Sequence, residues 1–253
     1  MLRNILNVVF VGLLSLGSTS AANVDALMAD ANKSYTDGKF QDAVNAYESI
    51  VKQGYQSDVL YYNLGNAYYK SKNIPAAILN YERALLLNPS DENIKFNLDL
   101  VKTFTVDHIE PLPEFFMVTF FNNVKKWMST NAWAYTGILF FIISLVLAYF
   151  FWFSYRPNVK RITFSIGVLT LLVTLFSFTF SIQQKNSIVN HKYGILFPSV
   201  VAVKSSPGES GKDLFVLHAG TKVKIVDSVG DWYEIHIADG NMGWILKDTL
   251  EKI

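Results

Sequence analysis

The chain has 253 residues, of which 51% are hydrophobic and 17% are charged, and its formal net charge is +1. Charged residues are nearly missing from two long segments, which indicates a membrane protein with soluble parts. The small net charge and the lack of a run of lysine or arginine argue against nucleic acid as a partner. Because the sequence has no cysteine, it excludes disulfides, thiolate metal sites, cysteine nucleophiles and a lipidated N-terminal cysteine.

The first segment, residues 1–22, has the three parts of a secretory signal peptide. Arg3 precedes an apolar stretch at residues 5–16, and small residues follow at 18–22. This pattern predicts cleavage near Ala21 or Ala22 and export of the chain that follows. An uncleaved anchor is the alternative, although an apolar core of about a dozen residues is short for a membrane span.

Residues 23–105 are polar, favour helix and repeat themselves. A shift of 34 residues aligns Ala31 with Gly65, Tyr35 with Tyr69, Phe40 with Ile74, Ala43 with Ala77, and Tyr47 with Tyr81. Thirty-four residues is the length of a tetratricopeptide repeat (TPR). The second copy resembles the TPR family at Tyr61, Leu64, Gly65, Tyr68, Ala77, Tyr81, Ala84 and Pro89. We therefore predict an all-α TPR domain with repeats at about 24–57 and 58–91 and a capping helix at 92–104.

Residues 106–131 are predicted to form a linker and then a helix at the membrane interface. The linker, residues 106–113, is acidic and contains prolines. Residues 114–130 mix aromatic side chains with Lys125, Lys126 and Trp127. This mixture is typical of a helix whose lysines lie among lipid headgroups. An amphipathic helix packed on the TPR capping helix is the alternative.

Two uncharged segments, residues 132–155 and 162–182, predict a transmembrane hairpin. Each is long enough to cross a hydrocarbon core of about 30 Å. The loop between them, residues 156–161, carries Arg156, Lys160 and Arg161, which predicts that it lies in the cytoplasm. Both soluble flanks are then periplasmic, as the signal peptide independently predicts. Because both spans lack ionisable side chains, a transporter or proton relay is disfavoured.

The second span has small and hydroxylated residues along one stripe. They recur at spacings of three and four, at Gly167, Thr170, Thr174, Ser177 and Ser181. In lipid, such a stripe permits close helix approach and interhelical hydrogen bonds. Packing against the first span and contact with another membrane protein are both open interpretations.

After a stalk at residues 183–193, the pattern at 194–253 becomes one of short alternating strands. Strands are predicted at 200–204, 221–226, 232–237 and 242–245, between turns rich in glycine, proline and aspartate. Such strands are stable only when they close on each other into a small barrel. The segment resembles the bacterial SH3-like (SH3b) family in the order of four landmarks, which are residues 203–207, residues 217–221, Trp232-Tyr233 and Gly243-Trp244-Ile245.

Two surfaces are candidate binding sites. TPR geometry points Asn32, Tyr35, Tyr62, Asn66, Tyr69 and Lys70 into the concave groove. Asn32 and Asn63 occupy the asparagine positions of families that clamp a C-terminal carboxylate, but Met28, Asn93 and Asn97 replace the basic ones. A mostly aromatic, weakly polar groove remains, with ordinary repeat packing as the alternative. On the barrel, Trp232, Tyr233 and Trp244 are predicted to form an aromatic ledge for peptide or glycan, or to fill the small core.

No catalytic, cofactor or metal constellation is recognisable in the sequence. The four histidines, His108, His191, His218 and His236, are scattered and lack paired ligand spacing. Nucleophile elbows and phosphate-binding glycine loops are also missing from the sequence. We therefore expect a non-enzymatic protein without cofactors.

The complete order of segments predicts a multidomain membrane protein with an all-α TPR repeat, a two-helix transmembrane hairpin and a small all-β SH3-like barrel. This order closely resembles the BatE-type family of the Bacteroides aerotolerance (Bat) operons. The resemblance implies a periplasmic, inner-membrane scaffold of a stress-related envelope complex. It implies as partners Bat proteins with von Willebrand A-type domains and, indirectly, a MoxR-type AAA+ ATPase. The alternatives are a peptidoglycan-binding cell-wall sensor and an accessory subunit of a membrane enzyme.

Overall fold

The structure is a computed structural model that describes residues 24–190 and 192–253. The predicted signal peptide and His191 lie outside the described residues. The helices are α1 (24–36), α2 (Phe40–Lys52), α3 (Asp58–Lys70), α4 (Ile74–Leu87), α5 (Glu92–Lys102), α6 (Phe116–Lys125), α7 (Thr130–Phe153) and α8 (Pro157–Val189). The strands are β1 (Tyr193–Leu196), β2 (Val200–Lys204), β3 (Asp213–His218), β4 (Lys222–Val229), β5 (Trp232–His236), β6 (Met242–Leu246) and β7 (Leu250–Lys252).

Helices α1 to α5 form the helical repeat that the 34-residue period predicts. Polar side chains begin three of them, because Ser57, Asn73 and Asp91 each accept hydrogen bonds from the first turn of α3, α4 and α5. Gly65 allows α3 to approach α4 closely: a Cβ atom at this position would lie 2.8 Å from the ring of Tyr81. The helical repeat is thus confirmed, and the close approach explains the glycine at position 65.

Helices α7 and α8 are two long helices whose most apolar 18-residue stretches have mean hydropathy of 2.3 and 2.0, and both are long enough to cross a membrane. Ser129 caps α7, and α8 begins at Pro157, a residue suited to the first helical turn. The helix therefore starts inside the segment predicted as a loop, 156–161. It also continues to Val189, so most of the predicted stalk is helical.

The stripe of small residues on α8 faces α7. Thr170, Thr174 and Ser177 are buried, and the hydroxyl oxygens of Thr170 and Ser144 lie 2.8 Å apart. At the other end of the stripe, the hydroxyl of Ser181 donates to the carbonyl of Thr130 at 3.0 Å. Of the two interpretations of the stripe, packing against the first span is the arrangement observed.

The C-terminal strands form one antiparallel sheet in the order β3-β2-β6-β5-β4-β1-β7. Val203, Ile235 and Ile245 are fully buried in its core. Gly243 is required beside them, because a Cβ atom there would lie 2.5 Å from Val203. The sequence prediction missed β1, β3 and β7. Strand β3 was missed because only Leu217 in that strand is buried, so buried and exposed positions do not alternate clearly along it.

The TPR domain and the barrel pack against each other. Ile195 of β1 and Ile253 are buried in the same hydrophobic cluster as Ile78 of α4 and Leu98 of α5. Gly220, at φ +88°, lies where the two meet, since a Cβ atom there would be 3.1 Å from Ile78. The small TPR array is thus completed by the barrel.

Residues 106–113, predicted as a linker, also lie along the barrel. Ile109 packs against the barrel core, and the amide of Leu112 donates to the carbonyl of Ala238 at 3.0 Å. These contacts hold the middle and the end of the segment along the barrel.

Candidate binding surfaces

The concave TPR surface contains a hydrogen-bonded unit of one tyrosine and two asparagines. Tyr47 of α2 donates its hydroxyl to Oδ1 of Asn32 at 2.5 Å, and Nδ2 of Asn63 donates to the same oxygen at 3.1 Å. The unit joins α1, α2 and α3, so it orients the Asn32 side chain from two directions.

The same unit recurs one repeat later. Tyr81 donates to Oδ1 of Asn66 at 2.7 Å, and Nδ2 of Asn97 donates to it at 2.9 Å. Asn97 also donates to the hydroxyl of Tyr62 at 3.0 Å. Among the described residues, Nδ2 of Asn32 and of Asn66 has no hydrogen-bond acceptor. Each unit therefore fixes an amide oxygen internally and leaves an amide donor for a ligand.

The tyrosines that surround these units remain neutral at ordinary pH. Burial raises the pKa of Tyr35 and raises that of Tyr47 to about 12. Burial likewise raises the pKa of Tyr81, with a contribution from the neighbouring Tyr62 and Tyr35. The groove thus offers hydroxyls, amides and ring faces, a set suited to a neutral peptide segment.

The end of the groove carries Tyr69 and Lys70 of α3. The Tyr69 ring lies 5.9 Å from the ring of Phe104, and the Lys70 ammonium lies 6.0 Å from the Tyr69 ring centre. Lys70 is exposed. The six predicted groove residues lie on two helices, Asn32 and Tyr35 on α1 and Tyr62, Asn66, Tyr69 and Lys70 on α3.

The predicted aromatic ledge of the barrel is divided between two faces of the sheet. Trp244 pairs with Glu234 in the β5–β6 ladder, and Trp232 pairs with Leu246, so alternation places both tryptophans on one face. Tyr233 lies on the opposite face, where it packs against the barrel core. Both tryptophans are half-buried, so the outer face presents two indoles without Tyr233.

Glu82 of α4 links the TPR domain to the barrel. Its carboxylate is buried and pairs with Lys102 of α5 at 3.1 Å and with Lys222 of β4 at 2.6 Å. Although burial by itself raises the pKa of Glu82, the two ammonium groups outweigh it, and the pKa lies below its ordinary value. Next to it, Arg83 donates to Glu251 at 3.0 Å and to the carbonyl of Lys252 at 2.7 Å.

Asp107 links the connecting segment to the barrel. It accepts hydrogen bonds from the amide of His218 at 2.7 Å and the hydroxyl of Thr221 at 2.6 Å, and it pairs with Nδ1 of His218 at 2.7 Å. Neither Glu82 nor Asp107 was recognised from the sequence. The usable signals were that the residues three and four positions before and after Glu82 are all apolar, and that Asp107 is the second residue of the predicted linker.

The described part of the chain contains no group of three or more His, Asp or Glu side chains that could hold a metal ion. Of the histidines, His218 is hydrogen-bonded to Asp107 through Nδ1. His108 is exposed, and His236 faces the outer side of the sheet with Trp232.

Comparison with protein families finds two partial similarities. Residues 59–91 match the tetratricopeptide repeat, and residues 199–251 match the bacterial SH3 domain. The comparison with curated proteins gives no match. The chain therefore combines two kinds of interaction module with two long apolar helices.

Proposed function

We propose that this chain is a non-enzymatic scaffold, anchored in the bacterial inner membrane by α7 and α8, that assembles an envelope complex. The observation that carries the proposal is the joint between its two interaction modules. Glu82 and Arg83 bind the barrel directly, and Asp107 fastens the connecting segment to it. Two modules held at a fixed spacing orient two partners relative to each other, which flexible tethering would not do.

The positive residues between the two spans support a periplasmic location for both modules. Arg156, Lys160 and Arg161 lie at the turn of the hairpin, and such clusters are retained in the cytoplasm. The bacterial SH3 match agrees with a location outside the cytoplasm.

The complex we propose is of the Bat type. The order of TPR, two apolar helices and SH3-like barrel agrees with the resemblance to BatE-type proteins. Its direct partners would be membrane proteins with von Willebrand A-type domains, and a MoxR-type AAA+ ATPase would act indirectly. The groove would take a neutral peptide segment of such a partner, held by the amide donors of Asn32 and Asn66.

The test is substitution of Tyr69→Ala with Lys70→Ala in the full chain, followed by crosslinking in native membranes and mass spectrometry. We expect loss of crosslinks to von Willebrand A-type proteins, because both side chains lie at the end of the groove. Thermal unfolding checks that the variant stays folded, since the Tyr69 ring also packs against Phe104. The control is Trp232→Ala with Trp244→Ala, which should keep those crosslinks. Retention of every partner by the groove variant would overturn the proposal.

Peptidoglycan binding is the second candidate, and the two indoles on the outer face of the barrel favour it. In that case, the full chain would sediment with purified peptidoglycan, and the tryptophan double variant would not. An accessory subunit of a membrane enzyme would instead crosslink to a catalytic partner.

A further inference from the structure

A cavity of about 550 Å³ lies where the TPR domain, the hairpin and the barrel meet. Leu85 and Leu86 of α4 and Ile253 give it an apolar wall. Its lining includes two side-chain carboxylates, those of Glu82 and Asp99, and six lysines. The lysines are Lys95, Lys102, Lys125, Lys126, Lys192 and Lys222. Its lining therefore combines cationic and apolar side chains.

The cavity lies at the end of the membrane spans. Gln184 of α8, which lines it, follows the last residues of the uncharged segment 162–182. The Gln184 side chain donates to the carbonyls of Lys125 at 2.6 Å and Met128 at 3.0 Å. These bonds hold the backbone at residues 125 and 128, between α6 and α7. A residue just beyond an apolar span lies among the lipid headgroups.

Helix α6 and Trp127 just after it independently indicate that this part of the chain lies at the membrane surface. Phe116 and Phe120 are 69% and 57% exposed, and Trp127 is 67% exposed. Phe121 stacks on Phe176 of α8 with ring centres 6.4 Å apart, so α6 lies along the hairpin. Exposed aromatic rings beside a membrane span are typical of a segment at the bilayer interface.

Three of the six lysines are available to a ligand. Lys102 and Lys222 share Glu82, and Lys95 pairs with Glu92. Lys125 has only a 3.4 Å bond to Asn122. In the described ranges, no carboxylate lies within ion-pair distance of Lys126 or Lys192. An uncompensated cluster of this kind beside an apolar wall suits a ligand with a phosphate and an acyl chain.

We propose that this cavity binds the headgroup of an anionic phospholipid, with its phosphodiester among Lys125, Lys126 and Lys192 and its glycerol end against Leu86. The site goes beyond the scaffold function, since it concerns lipid rather than protein partners. A bound lipid would connect all three parts of the molecule at the membrane surface.

The test is native mass spectrometry of the full chain in detergent, with added phosphatidylglycerol or phosphatidylcholine. We expect one phosphatidylglycerol retained per chain and no retained phosphatidylcholine. Lys125→Gln, Lys126→Gln and Lys192→Gln together should weaken retention at least about ten-fold, since each lysine near a headgroup contributes to binding. The three matching Lys→Arg substitutions should restore it.

The matched control is Lys33→Gln with Lys39→Gln and Lys72→Gln, which removes the same charge from exposed positions outside the cavity. The control should bind phosphatidylglycerol normally. Equal retention by the cavity variant, equal loss in the control, or equal retention of phosphatidylcholine would each overturn the site. Displacement of the lipid by soluble glycerophosphoglycerol at equal concentration would also overturn it, because the acyl chain would then contribute nothing.

Discussion

Single side chains contribute to how the connecting segment is held, and Asp107 is one of them. Burial acts to raise its pKa, but hydrogen bonds from Thr221 and His218 outweigh this, and the pKa lies below the ordinary aspartate value. A carboxylate with a lowered pKa stabilises the folded state above its unfolded-state pKa, and that stabilisation is lost as the pH falls through the folded-state pKa. The hydrogen bonds to the Asp107 carboxylate therefore stabilise the segment at neutral pH, and this stabilisation is lost in acid, below about pH 4.

We predict that Asp107→Asn destabilises the chain by about 1–3 kcal/mol at neutral pH, because a neutral amide replaces a charged acceptor that receives several bonds. The difference from the wild type should shrink toward pH 2, where the wild-type carboxylate is protonated. Thermal unfolding of the full chain in detergent at both pH values measures this. Asp37→Asn is the control, since Asp37 is exposed and has no side-chain hydrogen bond within the described residues. A difference that stays constant with pH would contradict the prediction.

Individual elements follow from the sequence where a local pattern is sufficient. The apolar helices α7 and α8 are predictable because their hydrophobicity needs no tertiary partner. The bounds are less predictable, since α8 continues through the polar residues 183–187, where contacts such as that of Gln184 with Met128 hold it. Strand β7 is short, and its side chains are half-buried or exposed, so it carries little pattern of its own.

The orientation of the hairpin in the membrane can be tested with introduced cysteines. The chain has no cysteine, so single introduced cysteines report accessibility directly. Cysteines at Gln56 and Ser210 should react with a membrane-impermeant maleimide in intact spheroplasts, and one at Asn158 should react only after lysis. Gln56 is preferable to Ser57, whose side chain caps α3. Reaction of Asn158 from outside would invert the orientation that the positive-inside rule predicts.

The whole molecule depends on a joint that no local pattern predicts. Ile195, Glu82 and Ile253 each resemble ordinary residues of their own segment of sequence, and their roles appear only when α4 and the barrel face each other. By contrast, the 34-residue period was sufficient to place Asn66 and Tyr62 on one helix face, because TPR geometry is local.

We predict that Glu82→Gln loosens this joint. Glutamine keeps the volume but leaves Lys102 and Lys222 facing each other without the carboxylate that pairs with both. Loss of a buried charged acceptor costs about 1–3 kcal/mol, which corresponds to an increase of roughly 5- to 150-fold in local opening. Hydrogen exchange of the full chain in detergent should therefore accelerate in β1 and around Ile253, and less in β5 and β6.

Glu92→Gln is the matched control for this joint. Glu92 also pairs with a lysine, Lys95, but its side chain is 84% exposed, compared with 8% for Glu82. Exposed pairs of this kind contribute about 0–1 kcal/mol, so exchange should stay unchanged in β1. If both variants gave the wild-type exchange pattern, apolar burial of Ile195 and Ile253 would suffice to hold the barrel. Uniform acceleration across the barrel in the Glu82 variant would instead show that the barrel depends on the joint for its own folding.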